Sequence, residues 1–289
     1  MGSTEARRPA DQTRQLTDAE WTEHVADVRA CLEKAFAKGL ATDVLYTIDG
    51  AGEIWTDDRI EMHDLIIEDF LARSPNALCE HKAIIAGGLG GAGKSTILEK
   101  HAGIDLSEYV SINPDDIKKE LALRGLVPQV EGLTPMEAAG LAHEEASYIA
   151  KQLAQRAQAE GKNVIWDITM ASKTKIETRI DQLRSAGYEQ IDGLFVDIPV
   201  EVSISRADAR HREDHEKHRA GEGVGGRLVP EEITRAQADE DWGSQNRRAF
   251  EEVKHRFDHW SRYDNSVDRR SPLLVESSPT SDLDSKEMS

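Results

Sequence analysis

The sequence predicts an α/β fold in which a parallel β-sheet carries helices on both faces. Between residues 81 and 218, short apolar runs of strand length alternate with longer segments of helical periodicity. This alternation is typical of parallel sheets built from βαβ units. Ligands of such sheets bind at the carboxyl ends of the strands, so the residues after each run are the first candidates for a functional site. Strands are expected over residues 81–86, 109–112, 163–166 and 191–198.

The segments between these runs have the spacing of apolar residues that is typical of helices. Gly161 and Gly187 follow two of these segments, where glycine can adopt the left-handed backbone that ends many helices. Residues 125–134 contain several glycine and proline breaks and are predicted to form a loop. Helices are expected from residue 96 onward and over residues 117–124, 135–160, 173–186 and 200–218.

A mainly helical α+β appendage is predicted ahead of the core, over residues 16–78. Apolar side chains recur at helical spacing from Trp21 to Phe36, and they predict a long first helix. The run Val44–Ile48 predicts a strand, with residues 53–55 as its return strand. A second helix is expected over residues 57–72.

The polar ends of the chain, residues 1–15 and 277–289, are predicted to be disordered. The core would then span residues 79–276, with a lid around residues 206–230.

Composition limits the classes of function. The chain has 289 residues with 54 acidic and 36 basic side chains, a net charge of −18, which disfavours nucleic acid as a partner. No run approaches the roughly 20 apolar residues of a membrane span, so no membrane partner is expected. The polar start of the chain lacks the apolar segment of a secretion signal. With only two cysteines in unrelated contexts, the reducing cytoplasm is the expected location.

The segment 88–95 matches the pattern G-x-x-x-x-G-K-[ST] at every fixed position, between a predicted strand and a predicted helix. Glycines allow the backbone N–H groups to surround phosphates, and the following helix directs its positive dipole end toward them. Lys94 can reach the terminal phosphates, and Ser95 can bind Mg²⁺. The sequence therefore predicts a P-loop NTPase-type sheet that binds a nucleoside triphosphate. The predicted nucleotide-binding residues are Gly88, Gly90, Gly91, Ala92, Gly93, Lys94, Ser95 and Thr96.

Acidic residues follow two further strands. Asp115 and Asp116 come after the second strand, where a carboxylate can accept the proton of an attacking hydroxyl or cap the next helix. Asp167 ends the third strand, where it can bind Mg²⁺ through water, hold a substrate hydroxyl, or simply form a turn. Thr169 can add a hydroxyl contact to the substrate.

The segment from Arg206 to Arg227 combines arginines with glycines and is predicted to be a lid over the phosphates. Its arginines, Arg210 and Arg227 above all, would neutralise the charge of the transferred phosphoryl group. Interleaved acids leave a solvated helix as the alternative. The histidines of this segment are expected at the surface rather than at a metal, and Glu144 on the long helix either contacts substrate or faces solvent. Those histidines are His211, His215 and His218.

Together these motifs resemble those of the zeta-toxin family of kinases. The resemblance covers about residues 82–278 and rests on the segments 88–95, 112–118, 163–169 and 226–230. Members of that family transfer the γ-phosphate of ATP to a 3′-hydroxyl of UDP-N-acetylglucosamine, which blocks cell-wall synthesis. The resemblance implies ATP and Mg²⁺ as cofactors, a small-molecule acceptor such as a sugar nucleotide, and an antitoxin protein as partner.

The resemblance also implies roles for single residues. Lys94 and Ser95 would hold the phosphates and Mg²⁺, and Asp115 corresponds to the catalytic base. The other matches are Asp167 with a substrate-contacting glutamate, Thr169 with a nearby threonine, and Arg210 and Arg227 with two lid arginines.

Two other functions remain open at this point. One is a kinase for a different small molecule, an antibiotic or a nucleotide. The other is a nucleotide-switched ATPase that acts on a protein partner, although the paired acids and the arginines suit transfer to a hydroxyl better.

Overall fold

The structure, a computed structural model, describes residues 14–49 and 54–279. The predictions of disorder for residues 1–13 and 280–289 lie outside the described residues. The strands are β1 (Lys82–Gly87), β2 (Val110–Ile112), β3 (Val164–Asp167), β4 (Gln190–Asp197), β5 (Ala238–Asp239), β6 (Gly243–Ser244), β7 (Trp260–Asp264) and β8 (Leu273–Ser277). The helices are α1 (Asp18–Ala37), α2 (Thr42–Leu45), α3 (Asp57–Ala72), α4 (Lys94–Lys100), α5 (Pro114–Leu123), α6 (Pro135–Ala138), α7 (His143–Ala159), α8 (Lys173–Ser185), α9 (Val200–Arg219), α10 (Glu231–Arg235) and α11 (Gln245–Val253).

The central sheet confirms the predicted fold class. Its strand order is β2-β3-β1-β4-β7-β8, in which every pairing is parallel except that of β7 with β8. Alternate residues of β4 point to opposite faces. Leu194 and Val196 pack with Ile97 of α4 on one face. Phe195 stacks on Phe250 of α11 on the other, with ring centroids 5.0 Å apart, so helices cover both faces.

Strands β7 and β8 complete the sheet but were not predicted. The sequence of β7 mixes tryptophan and tyrosine with polar residues, and all five residues of β8 are exposed. β8 is an edge strand and β7 lies next to it. Neither has the continuous apolar run that identifies a buried parallel strand, which explains why the apolar pattern failed to find them.

The contacts within the chain divide it into two units. The first comprises the described residues up to Ile66, together with Pro114–Ile149 and Ala207–Leu228. The second comprises Ile67–Asn113, Ala150–Arg206 and the described residues from Val229 onward, and it contains the whole central sheet.

Two local predictions in the first unit were wrong. The run Val44–Ile48 is not a strand: its first residues belong to the single turn of α2, and Thr47 forms an isolated bridge with Trp55. The side chains of Val44 and Ile48 are exposed, and within the described residues the predicted pairing with the return segment is limited to this bridge and its flanking hydrogen bonds. The helix expected over 135–160 is divided into α6, a 3₁₀ turn over Ala139–Ala142, and α7. Gly140 lies in that turn, where its low helix propensity favours a break.

Candidate functional site

The loop between β1 and α4 has a backbone that requires glycine. Gly88, Gly91 and Gly93 have φ angles of 138°, 72° and 84°, in the region that L-residues with a side chain rarely adopt. A Cβ atom on Gly88 would lie 2.3 Å from the carbonyl oxygen of Val196, so this position also has no room for a side chain. The backbone conformation of the loop therefore explains why the sequence has glycine at these three positions.

Side chains from elsewhere in the second unit hold the carbonyl groups of this loop. Ser203 donates a hydrogen bond to Gly90 O at 2.6 Å, and the Asn265 side-chain amide donates to Ala92 O at 2.8 Å. Arg206 donates to Gly91 O at 3.3 Å. Because N–H and C=O point in opposite directions across a peptide plane, fixing the carbonyls on one side directs the amides to the other. Neither Ser203 nor Asn265 was found from the sequence, because no local motif marks them.

Lys94 and Asp167 meet beside the loop. The Lys94 Nζ atom lies 3.3 Å from Asp167 Oδ1 and 3.1 Å from Gly88 O. Asn113 donates to the other carboxylate oxygen of Asp167 at 3.3 Å. Both ion-pair partners are mostly buried, with 12% and 15% of their side chains exposed. The structure therefore places the carboxylate that follows β3 at the phosphate loop.

The remaining residues of this group contribute in different ways. Ser95 and Thr96 are exposed in the first turn of α4. Thr169 contributes its backbone: its carbonyl accepts hydrogen bonds from Gly88 N at 3.3 Å and from the Asn246 side chain at 2.7 Å. The donor set fits a magnesium triphosphate, because it combines loop amides and an ammonium for phosphate with hydroxyl and carboxylate oxygens for Mg²⁺.

Asp197 is a further acidic residue of the second unit that sequence reasoning missed. It ends β4, and its carboxylate lies 3.2 Å from Arg247 and 3.7 Å from Arg262. Burial raises the pKa of the Asp197 carboxyl, and the two guanidinium groups partly oppose this rise. Its position at the carboxyl end of a strand was the signal that could have identified it.

The first unit contains an acid–arginine group. Asp115, in the first turn of α5, accepts a hydrogen bond from Arg227 Nη1 at 2.5 Å, and Lys118 Nζ lies 3.4 Å from the same oxygen. Burial lowers the pKa of Lys118, and the carboxylate of Asp115 partly counters this. Asp116 is exposed in the same helical turn.

Two glycines fix the backbone just before Arg227. A Cβ atom on Gly225 would lie 2.3 Å from Thr134 Oγ1, and one on Gly226 would lie 2.2 Å from His211 O. The segment therefore packs directly on α9 and on the start of α6, and it carries the guanidinium group of Arg227 to Asp115.

The other predicted residues of the first unit are more exposed. Arg210 projects from α9 and has no ion-pair partner among the residues that the structure describes. Glu144 is exposed in the first turn of α7. The prediction that the histidines of α9 lie at the surface was wrong for His211 and His215, which are 2% and 7% exposed. The sequence of α9 indicated a solvent-exposed helix because its charged residues outnumber its apolar ones.

A cleft of about 630 Å³ also lies in the first unit, between the end of α5, the loop 125–134 and α6. Its volume is typical of small-molecule sites, although it is lined by none of the site residues predicted from the sequence.

A family model and several solved structures match this chain. The family model described as zeta toxin matches residues 71–269. A search of curated proteins found no match. No helix among the described residues combines the length and apolar character needed to cross a membrane.

Solved structures share the fold. The crystal structure of AvrRxo1-ORF1:AvrRxo1-ORF2 with sulphate ions is 13% identical, with a TM-score of 0.59 over 78% of this chain and 69% of that chain. The same pair with ATP is 14% identical, with a TM-score of 0.59 over 77% and 68%. A structure from the PezAT chromosomal toxin–antitoxin system of Streptococcus pneumoniae is 18% identical, with a TM-score of 0.53 over 77% and 82%. At these identities the similarity concerns the fold.

Proposed function

The chain belongs to the zeta toxin family, and we propose that it is a Mg²⁺-dependent kinase that transfers the γ-phosphate of ATP to a hydroxyl group of a small molecule. The observation that carries this proposal is the phosphate loop with Lys94 and Asp167 at its edge. The ATP complex of a protein with the same fold supports ATP as the donor.

The second unit would hold the nucleotide. The amides of residues 88–93 and the ammonium group of Lys94 would bind the phosphates, while Ser95 and Asp167 would hold the metal directly or through water. When bound, ATP would supply the phosphoryl group and Mg²⁺ would partly neutralise its charge. In the structure Lys94 is paired with Asp167, so this lysine is kept beside the loop by a carboxylate of the same group.

The acid–arginine group of the first unit would serve the acceptor. Asp115 would take the proton of the attacking hydroxyl, because a half-exposed carboxylate in a helical first turn is accessible to a substrate. Arg227 would orient that carboxylate and stabilise the negative charge of the transferred group. Arg210, Asp116, Glu144 and Thr169 are proposed as further contacts to the acceptor or the phosphates.

We propose a sugar nucleotide such as UDP-N-acetylglucosamine as the acceptor. The test incubates the full chain with ATP, Mg²⁺ and separate pools of sugar nucleotides, nucleosides and aminoglycosides, and identifies phosphorylated products by mass spectrometry. A singly phosphorylated sugar nucleotide supports the proposal. A phosphorylated product from another pool would support the kinase activity but would identify a different class of acceptor. ATP hydrolysis that no acceptor stimulates favours the nucleotide-switched ATPase instead.

We also propose that an antitoxin protein binds this chain. Of the solved structures with this fold, one comes from a toxin–antitoxin system and another is of AvrRxo1-ORF1:AvrRxo1-ORF2. Co-expression with candidate small proteins, followed by co-purification and a kinase assay, tests this: an antitoxin must both bind and inhibit.

A further inference from the structure

Three imidazole rings converge on one buried carboxylate in the first unit, and none of these four side chains has a role in the proposed kinase site. Glu137 on α6 has a fully buried side chain, and its Oε1 atom lies 2.8 Å from His24 Nε2 on α1. On α9, His211 Nε2 lies 2.9 Å and His215 Nδ1 lies 3.3 Å from the same oxygen.

The number of imidazole rings around this oxygen exceeds what hydrogen bonding explains. A carboxylate oxygen offers about two lone-pair directions, and three nitrogen atoms approach this one. His215 Nδ1 is within ion-pair distance of Glu137, yet it has no hydrogen-bond partner among the described residues. Because the His215 side chain is only 9% exposed, that orphaned nitrogen is costly to leave without a partner.

A cation would satisfy these atoms. One ligand atom from each of His24, Glu137 and His215 lies within 4.8 Å of the other two. Ligands of a tetrahedral zinc ion, at about 2.0–2.1 Å from the metal, lie about 3.3 Å from each other. Small side-chain rotations therefore suffice to bring the three atoms around one ion. Two imidazoles and a carboxylate are a donor set that zinc commonly takes.

The surroundings of the cluster hold the ligands in place. The second oxygen of Glu137, Oε2, accepts the backbone N–H of Thr134 at 2.8 Å, so the carboxylate is oriented by a capping box and its Oε1 atom faces the imidazoles. His211 donates to the same carboxylate, and the ring of Trp21 packs on His24 and His211 with centroids 5.3 Å and 4.7 Å away.

We propose that His24, Glu137 and His215 form a structural site for a zinc-class divalent ion, with His211 as hydrogen-bond partner of the carboxylate. Each ligand comes from a different helix, α1, α6 and α9. The ion would cross-link these three helices within the first unit. Since the imidazoles must be deprotonated to bind, acidification should weaken the affinity for the metal.

The test uses the full chain, stripped of metal with a chelator and titrated with Zn²⁺ and with Co²⁺. We expect one equivalent to bind, and Co²⁺ to give the intense visible absorption of a four-coordinate site in which a water molecule completes the three protein ligands. Zn²⁺ should also raise the midpoint of thermal unfolding. Glu137→Gln retains a capping-box side chain but removes the anionic ligand, and it should weaken binding by about 100-fold or more.

A matched control is His218→Ala, on the same helix α9, whose ring contacts the carbonyl of Gly223 instead of the cluster. This variant should bind Zn²⁺ as the wild type does. His24→Ala, at a partly exposed position, provides a second ligand variant should Glu137→Gln fail to fold. The proposal is overturned if the stripped wild type takes up neither metal, or if the ligand variants and His218→Ala bind with equal affinity.

Discussion

The guanidinium group of Arg227 lies 2.5 Å from the carboxylate of Asp115, although 112 residues separate the two in the sequence. Close packing of Gly225 on the Thr134 side chain and of Gly226 on the His211 backbone fixes the approach of Arg227. An arginine in this position can orient the proposed base and also stabilise a transferred phosphoryl group, so its effect should appear in kcat.

Replacement of Lys94 tests the proposed phosphate contact. Lys94→Ala should lower the rate of phosphoryl transfer by about 10²–10³-fold, because a preorganised charge is lost where negative charge develops. Initial rates with labelled ATP provide the measurement, and circular dichroism checks the fold. Lys100→Ala, at the exposed end of the same helix, is the control, and equal rates for the two variants would remove Lys94 from the mechanism.

Asp115→Asn tests the proposed general base. The amide has the same shape but cannot accept the hydroxyl proton, so kcat should fall by about 10²–10⁴-fold while the KM for ATP stays near that of the wild type. Glu99→Gln, an exposed carboxylate on α4, controls for the loss of one negative charge. A variant that keeps its kcat would contradict the role of Asp115.

Substitution of Arg227 separates charge from geometry. Arg227→Ala should reduce kcat by about 10³-fold. Arg227→Lys keeps the charge but loses the planar fork, and it should recover only part of the rate. Arg256→Ala, an exposed arginine that pairs with Asp181, should behave as the wild type. Full activity of Arg227→Ala in steady-state assays would count against any function of this arginine.

The phosphate loop allows a test by stability alone. Gly88→Ala introduces a Cβ at a φ of 138° and 2.3 Å from Val196 O, and it should cost about 1–3 kcal/mol of unfolding free energy. A Cβ on Gly90 meets no atom within 4 Å, so Gly90→Ala should change stability by less than about 0.5 kcal/mol. Urea denaturation measures the unfolding free energy of both variants. Similar losses of stability in the two would show that the loop geometry differs from the one that the structure shows.

Two adjacent glutamates should differ in their contribution to stability. Glu145 is buried, and its carboxylate accepts hydrogen bonds from Arg59 at 2.5 and 2.8 Å and contacts His63 at 2.7 Å. Glu145→Gln leaves that buried guanidinium without its counter-charge and should cost about 3 kcal/mol. Glu144→Gln, at the exposed neighbouring position, should cost less than about 0.5 kcal/mol by the same denaturation measurement.

The stability of the protein should depend on pH through the buried carboxylate of Glu145. Burial acts to raise the pKa of Glu145, but the hydrogen bonds from His63 and Arg59 outweigh it and lower the pKa. A carboxyl with a lowered folded-state pKa stabilises the protein above its unfolded value of about 4.3, and that stability is lost as the pH falls through the folded pKa. The loss on acidification should be smaller in Glu145→Gln than in the wild type. Equal losses of unfolding free energy in the two proteins between neutral pH and pH 3 would contradict this prediction.

The sequence predicted the parts of the fold that are locally encoded. The strand–glycine loop–helix segment at residues 82–100 has a local pattern, and so does α1, whose apolar side chains recur at helical spacing from Trp21 to Phe36. The sequence could not predict β7 and β8, whose pairing depends on partners distant in the chain, nor the single helical turn at Thr42–Leu45.

The residues of the candidate site also fall into two groups, those that a local sequence pattern marks and those that it does not. Lys94 was predicted from the glycine-loop motif, and Asp115 and Asp167 were predicted because each follows a predicted strand. Ser203 and Asn265, which hold the loop carbonyls, were missed because their role comes from tertiary contacts alone. The histidines around Glu137 were misjudged for the same reason, since a charged helical segment gives no sign that one narrow face is buried.

Calorimetric titration of the full chain with ATP, with and without Mg²⁺, measures whether the phosphate loop binds a nucleoside triphosphate. We expect one binding site per chain whose affinity rises with Mg²⁺, falls strongly in Lys94→Ala and is unchanged in Lys100→Ala. Absence of magnesium-supported binding to the folded wild type, or equal affinities of the two lysine variants, would contradict it.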